Sequence, residues 1–416
     1  MAITRTLHKK QPYYLIAYRI LLALLWTQYT VLSFVRVIIS RIPYIGPISE
    51  VFIPICIIIA LVVSIPWFAR NIKGSDVLFY VGIVMLYLVT MVVFPDNKAF
   101  MSENWWNVLF LAALTYFMGV AYSHDSCFDD LFWCSAASVF FMFLYQIFKM
   151  YKGIALEDEN MFAAYNLLPS VMYLIYYAIC KERKIFWFAA FASVGIIFIF
   201  GTRGPVLCVI VYLVAFLLYR TIIYRKKSSY LLLFFAFVLL IVFCIYDDLF
   251  IKIVSLVANV FERLGFSSRV FNMFLSGDAT TSLGREYLKQ ATIEAILDNP
   301  IKGYGFTGDQ HILGIYCHNI LLEMWCHFGL IGGSLVLITL ITLTIIALIK
   351  SSYNKKTFLF VVMLISMVYV KLMISSSYTL EPYFFFMIGV FVAINRKFIK
   401  TRVNYKKAER DIYENM

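Results

Sequence analysis

Apolar residues fall along this chain in runs, most of them near the 18–20 residues that cross the ~30 Å hydrocarbon layer of a bilayer as a helix. Twelve such runs stand at roughly 14–35, 48–68, 77–94, 105–122, 131–149, 161–180, 185–201, 205–219, 230–247, 328–349, 357–375 and 383–394. The pattern predicts an all-α, polytopic integral membrane protein with about twelve transmembrane helices. Short connectors, as at Lys181–Lys184, make successive helices antiparallel neighbours. No small-residue cleavage site follows the first run, so it reads as a span and not as a secretory signal. The whole of 1–416 reads as one membrane domain, with a long polar loop at 250–327 and a charged tail at 395–416.

The loop has a pattern of its own. After Gly284, the segment from Arg285 to Leu297 puts Leu288, Ala291 and Ala295 on one side with Thr292 between them, which predicts an amphipathic helix. Asn299-Pro300 ends it, because the residue before a proline avoids helical backbone. Gly303, Gly305 and Gly308 predict an irregular turn, and a second helix is expected from near His318 through Trp325 into the membrane. The apolar Val254–Val260 portion is expected to pack on the membrane surface. Loops of this length without a function are uncommon.

Composition agrees with the pattern. A hydrophobic fraction of 62% with only 14% charged residues excludes an ordinary soluble globular protein, in which about a quarter of residues are charged. The net charge of +12 reads as a topology signal. With the N-terminus placed in the cytoplasm, the inner segments collect Arg70, Lys73, Lys181, Arg183, Lys184, Lys350, Lys355, Lys356 and the basic tail. They hold nearly twice the lysines and arginines of the outer segments, which predicts cytoplasmic termini and an extracytoplasmic loop. Nothing in the charge pattern points to nucleic acid. Of the eight cysteines, Cys56, Cys134, Cys180, Cys208 and Cys244 fall in spans, Cys127 in a cytoplasmic connector, Cys317 in the loop and Cys326 at the membrane edge. No disulfide framework and no C-x-x-C is visible.

Few residues could carry chemistry. Arg203, in Phe200-Gly201-Thr202-Arg203-Gly204-Pro205, interrupts an apolar stretch at the outer end of a span. It fits an interfacial arginine that reaches for headgroups. It fits equally a planar fork for phosphate oxygens, with glycines that let an anion approach the backbone. Arg285 opens the loop helix; alone it reads as a solvated arginine, but with Arg203 it could neutralise a diphosphate. His318, before Asn319 at a helix start, could serve as general base toward a hydroxyl or simply cap the helix. A metal site from His311, His318 and Glu323 or His327 lacks the spacing of a zinc helix, so neither metal nor cofactor is expected. The acidic residues Asp247-Asp248 and Glu157-Asp158-Glu159 are weaker candidates, and no Asp-x-Asp pair is present to hold a nucleotide sugar's metal.

Taken in order, these residues resemble the O-antigen polymerase and O-antigen ligase superfamily of bacterial surface-polysaccharide enzymes, over about residues 155–335. Gly201-Thr202-Arg203-Gly204 is similar to the family's Gly-Ser-Arg-Gly turn, with threonine for serine. Gly284-Arg285, Asn299-Pro300, Gly303-x-Gly305, His318-Asn319 and Gly329-Leu330-Ile331-Gly332 resemble its long periplasmic loop and the span that follows. Asn160-Met161-Phe162-Ala163 resembles its Asn-x-Phe-Ala segment. Lys289 departs from the aromatic residue often found four places after the loop arginine.

The resemblance implies a GT-C-like, metal-independent membrane glycosyltransferase of the bacterial plasma membrane. Its donor would be an undecaprenyl-diphosphate-linked oligosaccharide. Arg203 and Arg285 would hold the diphosphate, His318 would act on the acceptor hydroxyl, and Thr202, Asn160, Gly303, Gly305 and Asn319 would line the substrate site. Partners implied are the bilayer and the chain-length regulator and flippase of the same pathway. A polymerase, the more numerous branch, would extend a lipid-linked repeat unit; a ligase would pass finished glycan to lipid A core or another acceptor. A lipid-linked oligosaccharide flippase is the competing class. It would place polar residues at mid-membrane, where only Arg19 and Lys371 qualify, and no internal repeat is present.

Overall fold

A computed structural model describes residues 12–39, 49–151, 157–200, 203–224, 255–256, 259 and 285–396. No strand occurs among them. The chain runs from α1 (Tyr13–Thr27) through a π turn at Gln28–Leu32 into α2 (Ser33–Ile39), then α3 (Ser49–Asn71) and α4 (Gly74–Val93). Next come α5 (Lys98–Trp105), a second π turn at Trp106–Leu111, α6 (Ala112–Val120), α7 (His124–Tyr151), α8 (Glu157–Lys181), α9 (Lys184–Phe200) and α10 (Arg203–Tyr224). The loop contributes α11 (Arg285–Asp298) and α12 (Gly308–Leu313), and it leads into α13 (Ile320–Ser351) and α14 (Lys355–Ile374). A last apolar helix, α15, spans Pro382–Arg396.

Eight helical stretches among the described residues are long and apolar enough to cross a membrane. Every expected span but one falls on a described helix. The exception, 230–247, lies outside the described residues, as does most of 250–284. The helix expected from near His318 begins at Ile320 and continues as the span expected from 328. Two boundaries differ: the span expected from 105 is already helical at Lys98, and Cys127 lies buried in α7 instead of in a connector. In each case polar residues lead the helix, so hydropathy alone places its start too late.

The bundle is built around α8. In its spanning window 78% of residues are buried, against 11% for α13, so α8 is a central post and α13 faces lipid along most of its length. An all-apolar helix surrounded by others must still satisfy its hydroxyls. Accordingly, Tyr173 Oη donates to Phe128 O at 2.8 Å, Tyr177 Oη to Asp129 Oδ1 at 2.7 Å, and Tyr176 Oη to Lys356 O at 3.2 Å. Between α1 and α7, Trp26 Nε1 donates to Ser135 Oγ at 3.0 Å. Such interhelical bonds contribute on the order of 0.6 kcal/mol each in a membrane.

Ion pairs mark the two ends of the bundle. One end carries Arg19–Asp130, Lys181–Asp129, Lys355–Glu182 and Arg396–Asp76. It gathers the residue 71–76, 121–130, 181–184, 351–356 and 396 reversals, the segments whose basic residues suggested a cytoplasmic face. The opposite end carries the 94–98, 203–204, 299–319 and 375–381 segments. Arg19 and Lys371 therefore do not share a mid-membrane cavity. Arg19 pairs at the first end, whereas Lys371 pairs with Glu381 at the second.

Close backbone approach locks α6 against α15. A Cβ added at Gly119 would lie 2.2 Å from Phe386 O, and one at Gly389 would lie 2.2 Å from Tyr116 O. Small residues at such crossings let helix backbones meet. Gly389→Leu is expected to lower the melting midpoint of the detergent-solubilised protein, corresponding to about 1–3 kcal/mol of overpacking. Gly82→Leu, at a position with open space around it, is expected to leave the midpoint unchanged in the same assay.

Candidate active site

The loop end is organised by a break in a helix. α13 starts at Asn319, whose Oδ1 accepts from Leu321 N at 3.0 Å and Leu322 N at 3.3 Å, an N-cap that satisfies two otherwise orphaned amides. Two turns later Gly329 leaves helical backbone, at φ 69° and ψ 173°, a region open essentially to glycine alone. The break frees carbonyls that a continuous helix would bond internally. Residues 300–305 capture them as a strap: Tyr304 N donates to Cys326 O and Gly305 N to His327 O, both at 2.8 Å, while Leu330 N returns a bond to Pro300 O at 2.6 Å.

The strap is fastened on its other side as well. Asn299 Nδ2 donates to Gly303 O at 2.7 Å, closing the turn after α11. Asn97 Nδ2 donates to Tyr304 O at 2.6 Å and Phe306 O at 2.9 Å, tying it to the α4–α5 connector. Gly303 has φ +66°, and a Cβ there would lie 2.5 Å from Gly329 N; at Gly305 it would meet the Thr90 and Phe94 side chains. The two glycines thus let the strap lie directly on its neighbours. On α11, Thr292, Ala295 and Ile296 are buried, the face that periodicity predicts.

Beyond the strap, a group of buried polar side chains forms that the sequence did not announce. Asp309, on α12, is fully buried. Its Oδ1 lies 2.7 Å from His327 Nε2, and its Oδ2 accepts from Cys317 N at 3.0 Å. His327 Nδ1 lies 2.8 Å from Tyr378 Oη. Burial, with Glu323 and Asp309 nearby, pushes the Tyr378 phenol well above its usual range, so it stays protonated. The imidazole thus bridges the Tyr378 hydroxyl and the Asp309 carboxylate. Glu323, also fully buried, accepts from Ser377 Oγ and, at 3.4 Å, from Tyr378 N. Burial likewise raises the Cys317 thiol, reinforced by Asp309 and Glu323, which keeps it uncharged.

Ligand atoms of Asp309, Glu323 and His327 all lie within 4.8 Å of one another, so these three are the residues able to hold a cation. Glu323 and His327 belong to the grouping considered from spacing, whereas Asp309 stands where His311 and His318 were placed. His311 is exposed, at the edge of the loop. Each oxygen and ring nitrogen of the three already has a protein hydrogen-bond partner. The polar atoms of the cluster are therefore hydrogen-bonded within the protein, with two carboxylates close together in a buried site.

His318 sits in a left-handed turn at φ 57°, with its ring 4.4 Å from that of Tyr316 in an edge-on arrangement. Tyr316 Oη reaches Ser375 O at 3.4 Å, at the end of α14. Arg203 is the first residue of α10 and is exposed. Beside it, Gly204 packs so closely that a Cβ would lie 1.7 Å from Tyr165 Oη and 3.2 Å from Ile374 Cδ1. Ile374 precedes Ser375, so the Arg203 turn and the His318 turn meet the same end of α14. Lys371 lies one turn back on that helix, pairs with the buried Glu381 and stands 5.2 Å from the Tyr165 ring centroid.

The other candidates are placed less completely. Arg285 opens α11 and Asn160 lies in the first turn of α8, but their side chains, like all of Thr202, fall outside the described residues. Asp309 and Tyr378 were not singled out by sequence reasoning, and His327 entered only as a possible metal ligand. The available signal was Glu323 and His327, four apart on a helix entering an apolar run, which is an expensive place for unpaired polar groups.

With this geometry in place, comparison with known proteins gives one result. Residues 188–337 match the family model described as O-antigen ligase, in agreement with the O-antigen polymerase and ligase superfamily. The matched stretch contains the Arg203 turn, α11, the strap, Asp309, His318 and the Gly329 break. No curated protein and no solved structure matches the chain.

Gly329→Ala is expected to unseat the strap, since an added Cβ would lie 2.2 Å from Ile301 O and the backbone strain alone costs about 1–3 kcal/mol. Limited proteolysis checks this, with faster cleavage expected within residues 299–319.

Proposed function

Because residues 188–337 carry a domain of the O-antigen polymerase and ligase superfamily, we propose that the protein is a surface-polysaccharide polymerase of the bacterial plasma membrane. It transfers a growing glycan from undecaprenyl diphosphate onto a lipid-linked repeat unit at the outer face. The observation that carries the reading is the meeting of the Arg203 turn and the His318 turn on one end of α14, at the end of the bundle opposite the basic reversals. Both termini then lie in the cytoplasm and the 250–327 loop outside.

In this mechanism the acceptor hydroxyl oxygen attacks the donor's anomeric carbon, and the bond from that carbon to the diphosphate oxygen breaks. His318 takes the hydroxyl proton, an effect worth roughly 10²–10⁴ in rate. Arg203 and Arg285 receive the charge that collects on the departing undecaprenyl diphosphate, and removing one such stabilising group costs about 2.7–4 kcal/mol. Nothing in this scheme needs a metal or cofactor. Thr202 and Asn160 are assigned to substrate binding together with Gly303, Gly305 and Asn319, the last three shaping the backbone at this end. The chain-length regulator and flippase of the pathway are the expected partners.

The description of the matched family supports a second reading, transfer of finished glycan to lipid A core or another acceptor by a ligase. Electrophoresis of surface glycan from a deletion strain separates the two. A single repeat unit on its anchor is expected for a lost polymerase; free polymer left on its lipid carrier would establish the ligase instead.

Arg203→Ala and Arg285→Ala are each expected to reduce polymer formation at least ~100-fold at unchanged membrane level. Turnover in His318→Ala should fall by about 10²–10⁴ while donor binding is retained. Full-length glycan from either arginine variant, seen by gel, would remove the diphosphate clamp from the mechanism.

A further inference from the structure

The segment from Asp309 to Asn319 leaves the bundle and returns to it, and it is closed at its base by a buried side chain. Asp309 Oδ2 accepts from Cys317 N at 3.0 Å, spanning eight residues, and Cys317 Sγ in turn lies 3.4 Å from Asn319 O. Between these points the chain is open to its surroundings: His311, Ile312, Gly314 and Ile315 are exposed. His318 follows directly on the clasped amide and holds a positive φ of 57°, a conformation uncommon for any residue other than glycine. Such a conformation persists only where the surroundings over-determine it.

Asp309 is itself held from behind. Its second oxygen is met by His327, whose other ring nitrogen is met by Tyr378, so α12, α13 and the α14–α15 connector are joined through one imidazole. Asp309 and the His327 side chain are both at 0% exposure, which decides their character: a fully dry carboxylate is costly unless every lone pair is matched. Here both oxygens are matched, one by a side chain that fixes where Asp309 sits and one by the amide just before His318. The Asp309 and His327 side chains are fully enclosed. Of the bonds that Asp309 makes, the one that leads to the His318 turn is that from the Cys317 amide.

We propose that Asp309, backed by His327 and Tyr378, is a positioning residue that sets the His318 turn for catalysis. This rests on the reading of His318 as the group that acts on the acceptor. A positional error of about 1 Å in a reacting group can cost a hundredfold in rate without weakening substrate binding. Asp309 therefore governs kcat through backbone placement and has no part in holding the donor.

The test uses the purified full-length chain with lipid-linked repeat units extracted from cells lacking the protein, and measures kcat, donor KM and melting midpoint. Asp309→Ala removes both bonds and is expected to lower kcat about a hundredfold with KM unchanged. Asp309→Asn keeps a carbonyl for the Cys317 amide and loses only the match to His327, so its kcat is expected between those of Asp309→Ala and wild type. The inference is overturned if Asp309→Ala turns over at the wild-type rate, if KM rises as kcat falls, or if Asn serves no better than Ala. Should Asp309→Ala not be recoverable as folded protein, Asp309→Asn decides alone: reduced kcat at unchanged KM supports the proposal, and wild-type kcat at a lowered melting midpoint refutes it. His318→Ala is run alongside. If it keeps the wild-type kcat, the functional reading itself is wrong; if it is inactive while Asp309→Ala is not, only the positioning role is lost.

Discussion

The break at Gly329 is the constraint from which the loop end of this protein follows. A transmembrane helix cannot leave carbonyls unsatisfied in or near hydrocarbon, so a helix that bends out of register must hand them to another segment. Residues 300–305 accept that role, and in doing so become seated on α13 with almost no space for side chains at the contact. Asn97 grips the same strap from the α4–α5 connector. α12, the Asp309 clasp and the His318 turn are all hung from this fastening. The loop is therefore part of the bundle's architecture and not an appendage to it.

Charge is distributed by the same economy. Removing an ion from water is expensive, and the cost is offset only by close partners. Among the described residues, the ion pairs at the basic end join helices in sequence-distant combinations, Arg19 to Asp130 and Arg396 to Asp76, and act as ties. At the loop end Lys371–Glu381 and Asp309–His327 are drier, with Glu381 4% exposed and both Asp309 and His327 side chains at 0%. They flank the exposed Arg203 turn and the one left-handed histidine among the described residues. One end of the molecule is thus tied by ion pairs between distant helices, and the other holds a buried polar cluster beside the Arg203 and His318 turns.

Much of this could be read ahead of the structure. Apolar run length located the helices, and the Asn299-Pro300 stop and the buried face of α11 followed from local backbone and periodicity rules. The start of α13 near His318 was also legible, although Glu323 and His327 delay the apolar run itself to 328. The cation-binding possibility was attached to His311, His318 and Glu323 or His327 by proximity in sequence; Glu323 and His327 do come together, but His311 is exposed and Asp309 is the third member. Asn319 illustrates a different gap: its position in a motif was visible, but not that its oxygen is occupied by two helix amides.

By itself, then, the chain's order of residues determined the helical class, the likeness to a polysaccharide-assembling superfamily, the asymmetry of charge between the two faces and the limits of the loop helix. These are properties of run length, periodicity and short motifs, each contained within a few turns of backbone. Tertiary structure alone decided that Asp309 meets His327 across 18 residues and that His327 meets Tyr378 across 51. Those pairings depend on where three separate chain reversals stop in depth, and helix packing, not local pattern, sets that depth.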